Sequence, residues 1–182
     1  MTPQSATALV LAAGLSKRMG DFKPLMRLGG MTILERVIRL FQFVGVGRIH
    51  VVAGHRAAEL GPLIERCGAR AVFNARYAEG MFSSVSAGVA SLNDTTTAFF
   101  VLPVDIPLVR PATIHDLLQA FAAGSAEICH PTFKGRRGHP PLIGGRHIDR
   151  ILKWREPGGL AGLLTRLEAH AYDVPVVDEF IL

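Results

Sequence analysis

The run Ala8-Leu9-Val10-Leu11-Ala12-Ala13 constrains this chain more than any other stretch, because it is apolar on both alternating faces and stops abruptly at Gly14. A strand of that kind belongs inside a sheet covered by helices on both sides. The strand gives way to a loop, Gly14 to Lys23, with Gly14 and Gly20 near its ends, Ser16 inside it and three cations, Lys17, Arg18 and Lys23. The glycines allow backbone N–H groups to turn toward a phosphate, and the cations neutralise what the amides hold. This composition describes an anion cradle; the alternative is a surface turn whose cations serve only solubility. Neither common glycine fingerprint fits, since G-x-G-x-x-G needs a third glycine and G-x-x-x-x-G-K-[ST] needs lysine directly after the second.

Further along, strand-like and helix-like segments alternate, which predicts an α/β sheet with helices on its faces. Gly29-Gly30 reads as a turn, and Thr32-Ile33-Leu34-Glu35 as a capping box opening a helix to about Val44, with Ile33, Leu34, Val37, Ile38 and Phe41 on one stripe. Arg48 to Ala53 predicts a strand ended by Gly54, Ala57 to Cys67 a helix, and Ala71 to Phe73 a strand. Helices are expected from Pro111 to Ala123, His147 to Trp154 and Leu160 to Ala169, and strands from Ala126 to Pro131 and Tyr172 to Val177. With no repeat or linker in 182 residues, one domain over residues 1–182 is expected.

Composition narrows the function classes. Nothing approaches the roughly 18 apolar residues of a membrane span, and the first eight residues lack a basic signal-peptide start, so the expected location is cytoplasmic. Cys67 and Cys129 form no C-x-x-C pair and are expected to be buried, reduced thiols. The seven histidines show no ligand spacing. A net charge of +5 favours anionic partners, and without a basic helix, aromatic strand pair or zinc module a small polyphosphate suits it better than nucleic acid.

Two later segments carry polar residues where ligands bind. In Asn74 to Val89 a loop runs into a helix start bearing Ser83, Ser84 and Ser86, which can cap the helix or present hydroxyls to a ligand. Ala98 to Val104 is an apolar strand ending at Asp105, a carboxylate at the C-terminal end of a strand, where open α/β sheets place ligand chemistry. Asp105 lies six residues before Pro111, too far to cap the helix that this proline opens. Lys134 to Ile143 is a basic, glycine-broken loop that reads either as a solvated hairpin tip or as an anion-binding loop.

The stretch L-A-A-G-x-S-x-R-M-G-x-x-K resembles the signature loop of nucleotidyltransferases that activate sugars, phospho-alcohols and the molybdenum cofactor. The runs N-x-x-Y-x-x-G-M-x-x-S-V, L-P-x-D-x-P and G-H-P come after it in the order of the molybdenum cofactor nucleotidyltransferases, and G-H-P resembles the cytidylyltransferases in particular. That resemblance implies a three-layer α/β/α sandwich with a mostly parallel sheet, of the Rossmann-like nucleotide-diphospho-sugar transferase type. It implies Mg²⁺ held by Asp105, catalytic roles for Lys23, Arg18 and Asp105, and a nucleotide held by Leu11, Ala12, Ala13, Gly14, Leu15, Ser16, Gly20, Lys23, Gly54, Asn74, Ser83, Ser84 and Asp105. Arg136, Arg137, Gly138, His139 and Pro140 would hold the acceptor. The implied reaction passes CMP from CTP to molybdopterin and releases pyrophosphate, the product going on to a recipient molybdoenzyme. GTP as donor, a sugar 1-phosphate as acceptor, and a non-catalytic cofactor carrier are the competing readings. Family members continue past the last strand into D-[IL]-D-T-P-x-D, whose first aspartate is expected to share the metal. Here Val177-Asp178-Glu179-Phe180-Ile181-Leu182 stands instead, with Asp178 the nearest carboxylate, although it aligns upstream of that motif.

Overall fold

The computed structural model describes residues 2–14, 22–124 and 126–182. Its main sheet contains β1 (Ala6–Leu11), β4 (Arg48–Ala53), β5 (Arg70–Phe73), β6 (Ala98–Pro103), β7 (Ile128–Phe133), β8 (Arg136–Arg137), β9 (Leu142–Gly144) and β10 (Ala171–Pro175). A small antiparallel ribbon, β2 (Arg27–Leu28) with β3 (Met31–Thr32), brackets the Gly29-Gly30 turn. The helices are α1 (Ile33–Phe43), α2 (Ala57–Arg66), α3 (Met81–Ala90), α4 (Pro111–Ala122), α5 (Ile148–Lys153) and α6 (Gly159–Arg166).

Strand order is β10-β7-β9-β6-β1-β4-β5, with β8 on β7. β1 pairs in parallel with β4 and β6, while β9 runs antiparallel between β6 and β7. Period-two alternation divides β1 between two cores. Ala6, Ala8 and Val10 join Leu34, Phe41, Leu60 and Ile114 of α1, α2 and α4, whereas Leu9 and Leu11 join Val85, Ile151 and Leu164 of α3, α5 and α6. The result is the expected helix–sheet–helix sandwich with a mostly parallel sheet. Among the described residues no helix is long and apolar enough to cross a membrane.

The chain leaves β1 toward β4 and β5 on one side, then returns to place β6 on the other. That reversal opens a crevice at the C-terminal ends of β1 and β6. α3 is drawn tightly over it, because a Cβ on Gly88 would lie 3.0 Å from Val52 Cγ2 and 3.2 Å from Leu9 Cδ1. α1 opens with the expected capping box: Thr32 N donates to Glu35 Oε2 at 2.7 Å and Glu35 N to Thr32 Oγ1 at 3.1 Å.

Several boundaries differ from expectation. β7 extends to Phe133 because β8 folds back on it, pairing Thr132 with Arg137 and Phe133 with Arg136. α6 stops at Arg166 and the chain tightens into a 3₁₀ turn, Glu168–His170. Cys129 is buried as expected, and desolvation pushes its thiol up to about 11, but Cys67 is only half-buried. Asp178 braces the start of α4. Its buried carboxylate accepts from Arg110 N at 2.8 Å and Thr113 Oγ1 at 2.7 Å, where α4 begins.

Candidate active site

Two adjoining clefts occupy the crevice. The first, about 330 Å³, is lined by Leu11, Ala12, Ala13 and Gly14 at the end of β1, by Lys23 and Pro24, by Tyr77, Ala78, Gly80, Met81 and Ser84 around the start of α3, and by Pro103 to Asp105 at the end of β6. The second, about 490 Å³, is lined by His130, Arg137, Gly138, His139 and Pro141 on one side and by α3 and α6 on the other. Leu11, Met81 and Pro103 face both clefts, so a molecule in one abuts a molecule in the other.

Each polar group reaches the first cleft for a local reason. Lys23 is fixed because Pro24 beside it is buried, turning the chain through a 3₁₀ helix at Lys23–Leu25. Its Nζ lies 3.5 Å from Asp105 Oδ2, and both side chains stay partly open to solvent. Ser84 is presented by a buried clamp. Asn74 Nδ2 donates to Ser83 Oγ at 2.9 Å and Ser84 Oγ at 3.1 Å, while Asn74 Oδ1 accepts from Arg76 N at 2.9 Å. Asn74 and Ser83 therefore stand behind the cleft wall rather than on it. Gly54 does too: a Cβ there would lie 2.5 Å from Tyr77 Cβ, so the missing side chain lets Tyr77 close against the strand end. None of the three serines caps α3, whose cap position is Gly80 at φ 104°.

Of the expected nucleotide residues, Leu11, Ala12, Ala13, Gly14, Lys23, Ser84 and Asp105 thus converge on one cleft. Leu15, Ser16, Arg18 and Gly20 lie outside the described residues. Of the expected acceptor residues, Arg137, Gly138 and His139 line the second cleft, Pro140 is buried behind it and Arg136 is exposed without lining it. Arg137 is already engaged: its guanidinium donates to both oxygens of Glu168 at 2.6 and 2.5 Å and to Asp173 Oδ1 at 2.6 Å, using three of five N–H groups. Burial holds the His139 imidazole below its ordinary value, against the opposing charge of Asp105. Tyr77, Met81, His130 and the Gly158–Leu160 turn were not among the expected site residues. Tyr77 and Met81 stand inside the N-x-x-Y-x-x-G-M run, and Gly159 opens a G-x-x-x-L-L run that resembles the same family; His130 carried no signal.

Among the described residues no group of three or more histidines, cysteines and carboxylates could hold a metal ion. Asp105 is the sole described carboxylate on the first cleft. One hard oxygen ligand beside Lys23 suits Mg²⁺ that keeps waters and shares substrate phosphates, rather than a resident metal in a protein cage.

Comparison with known proteins decides the family. The model of the MobA-like NTP transferase domain matches residues 8–171. The chain belongs to that family. This MobA-like domain is 37% identical over 151 residues to the bifunctional IPC transferase and DIPP synthase of Rubrobacter xylanophilus, covering 78% of this chain and 34% of that protein. It spans about a third of the length of the first curated relatives that it matches. Among solved structures, Rv0371c from Mycobacterium tuberculosis superposes with a TM-score of 0.83 at 22% identity, covering 96% of this chain and 89% of that one. Molybdopterin-guanine dinucleotide biosynthesis protein A from Archaeoglobus fulgidus gives 0.63 at 18% identity, covering 93% and 83%. At these identities the two structures establish the shared fold.

Proposed function

We propose that this MobA-like domain transfers a nucleotidyl group, CMP from CTP in preference to GMP from GTP, to the phosphate of molybdopterin. The observation that carries this reading is the Lys23–Asp105 pair lining a cleft of about 330 Å³ at the ends of β1 and β6, with a second cleft sharing Leu11, Met81 and Pro103. An acceptor phosphate is already a competent nucleophile near neutral pH, so no serine or cysteine needs activation. Catalysis then rests on alignment and on neutralising charge at the α-phosphate.

In this reading Gly14 and the loop after it receive the β- and γ-phosphates, Lys23 faces the α-phosphate, and Ser84 contacts the base or ribose. Asp105 would hold Mg²⁺, which supplies charge neutralisation across the phosphates. The product would pass to a recipient molybdoenzyme.

Pyrophosphate release from CTP or GTP with Mg²⁺ and molybdopterin tests the proposal. Lys23→Ala and Asp105→Asn should each lower turnover by roughly 10²- to 10³-fold, the usual loss when one preorganised contact to developing charge is removed. Neither should shift the melting temperature, because both side chains are partly exposed. Full activity in both variants would overturn the assignment, and equal use of the two triphosphates would overturn the base preference.

A further inference from the structure

Behind the first cleft, the turn from β4 into α2 is packed against two of the cleft's walls. His55 sits in that turn, and its backbone N–H donates to Ala13 O at 3.3 Å. Its ring stands nearly perpendicular to that of Phe22, at 79° with centroids 5.9 Å apart, and its centroid lies 6.2 Å from that of Tyr77. Ala13 and Tyr77 line the cleft, and Phe22 directly precedes Lys23, which lines it too. His55 therefore touches one wall residue through its backbone, a second through its ring, and the neighbour of a third.

Arg56 holds the same phenyl ring. It is one of two non-glycine residues at positive φ among the described residues, at φ 53°. That backbone conformation is unfavourable for a residue with a side chain and open to glycine, so what arginine contributes here lies in its side chain. Its guanidinium carbon lies 4.6 Å from the centroid of the Phe22 ring, a cation–π contact. Glu59 keeps the guanidinium there, accepting from Nε and Nη2 with its two oxygens. An exposed ion pair of this kind adds little stability, yet it orients the cation. Phe22 is only 6% exposed, and its carbonyl accepts from Leu25 N at 3.0 Å in the 3₁₀ turn that carries Lys23.

We propose that His55 and Arg56 are positioning residues for the nucleotide: they clamp Phe22, and through it they fix where Lys23 stands in the first cleft. The inference rests on the reading of this cleft as the nucleotide site. Neither side chain lines the cleft, so each acts through Lys23 rather than on the substrate. Positioning of this kind matters because a group displaced by about 1 Å can lose on the order of 10²-fold in rate. Tyr77 is held by the same imidazole, so the clamp reaches from the Lys23 turn to the 3₁₀ turn before α3.

Two measurements on the intact chain separate this role from general stability. The first needs no nucleotide. Amide hydrogen exchange at Leu25 and Met26, which donate to Phe22 O and Lys23 O, should speed up by about 10-fold in Arg56→Gly and in His55→Ala, while the amides of β1 and β6 keep their parent rates. Because glycine accepts a positive φ, the melting temperature of Arg56→Gly should hold or rise as the turn loosens, whereas a merely structural arginine would lower it. The second is titration with CTP and Mg²⁺. Arg56→Gly should weaken CTP binding by about 3- to 10-fold, but by less than about 2-fold when Lys23 is already alanine, because both changes act through one contact. His55→Phe, which keeps a ring between Phe22 and Tyr77, should recover most of the affinity that His55→Ala loses. Unchanged exchange at Leu25 and Met26 in both variants would overturn the proposal, as would an equal loss of CTP affinity with and without Lys23, or a His55→Phe variant no better than His55→Ala. If the parent protein binds no CTP, the transferase reading fails, and the exchange comparison still decides whether the clamp holds the turn.

Discussion

Asp178 shows how one side chain can stabilise a helix from far away in sequence. Pro111 opens α4 and the position before it is Arg110, whose side chain makes no cap hydrogen bond. Asp178 braces that junction from outside the helix, accepting from the Arg110 backbone N–H and the Thr113 hydroxyl, while its other oxygen accepts from Phe180 N at 3.2 Å. Asp178→Ala should therefore destabilise the protein by roughly 2–3 kcal/mol, the scale for charge-assisted bonds lost from a buried carboxylate. Asp178→Asn should recover part of this, and nucleotide affinity of the folded protein should not change; urea unfolding and a CTP titration read the two effects apart. Loss of CTP affinity with stability intact would return this carboxylate to the phosphates. Asp105 was legible in the sequence because a carboxylate ending an apolar strand has a local meaning. Asp178 was not, because its partners lie 65 and 68 positions away.

Elements with their own local signal could be read directly: β4, α1 and α4 are where the apolar run, the capping box and the N-terminal proline place them, while β1, Ala6–Leu11, begins and ends two residues ahead of its apolar run. Elements defined only by pairing could not. β8 is two residues long and exists because it pairs with β7, and the β2–β3 ribbon arises in the same way around its glycine turn. The loop between β8 and β9 is likewise held by a remote segment. His139 N donates to Ile181 O at 2.8 Å, and a Cβ on Gly138 would lie 2.3 Å from that same oxygen and 2.6 Å from Ile181 Cγ1. Gly138→Ala must displace either the loop or the 3₁₀ turn at Glu179–Ile181, at a cost of about 1–3 kcal/mol by analogy with overpacking. Because Gly138 and His139 line the second cleft, the variant should weaken acceptor binding more than nucleotide binding. Comparing the two affinities, together with the urea midpoint, checks this; a nucleotide affinity that falls equally would mean that the two clefts are not separate sites.

At the scale of the molecule, the sandwich that creates the crevice also buries histidines across its width. Burial lowers His50 on β4, His130 on β7, His139 on the second cleft and His147 ahead of α5, in each case because the charged ring is poorly solvated there. In the unfolded chain these rings take up protons below about pH 6.5, whereas in the folded protein they resist until lower pH. The unfolded state then binds more protons, so stability must fall as pH falls from about 6.5. For His130, lowered to about 4, the loss is complete only below that value and amounts to roughly 3 kcal/mol. Carboxylates that are paired in the folded state, such as Glu35 in its capping box, keep their charge until more acidic pH, so the histidines dominate the upper part of this window. Urea midpoints should therefore decline steadily between pH 7 and pH 5, and His130→Gln should flatten the decline because an amide takes up no proton in either state. A midpoint that is level down to pH 5 in the parent protein, or a decline that is as steep in the glutamine variant, would show that these rings are solvated and not part of the packed interior.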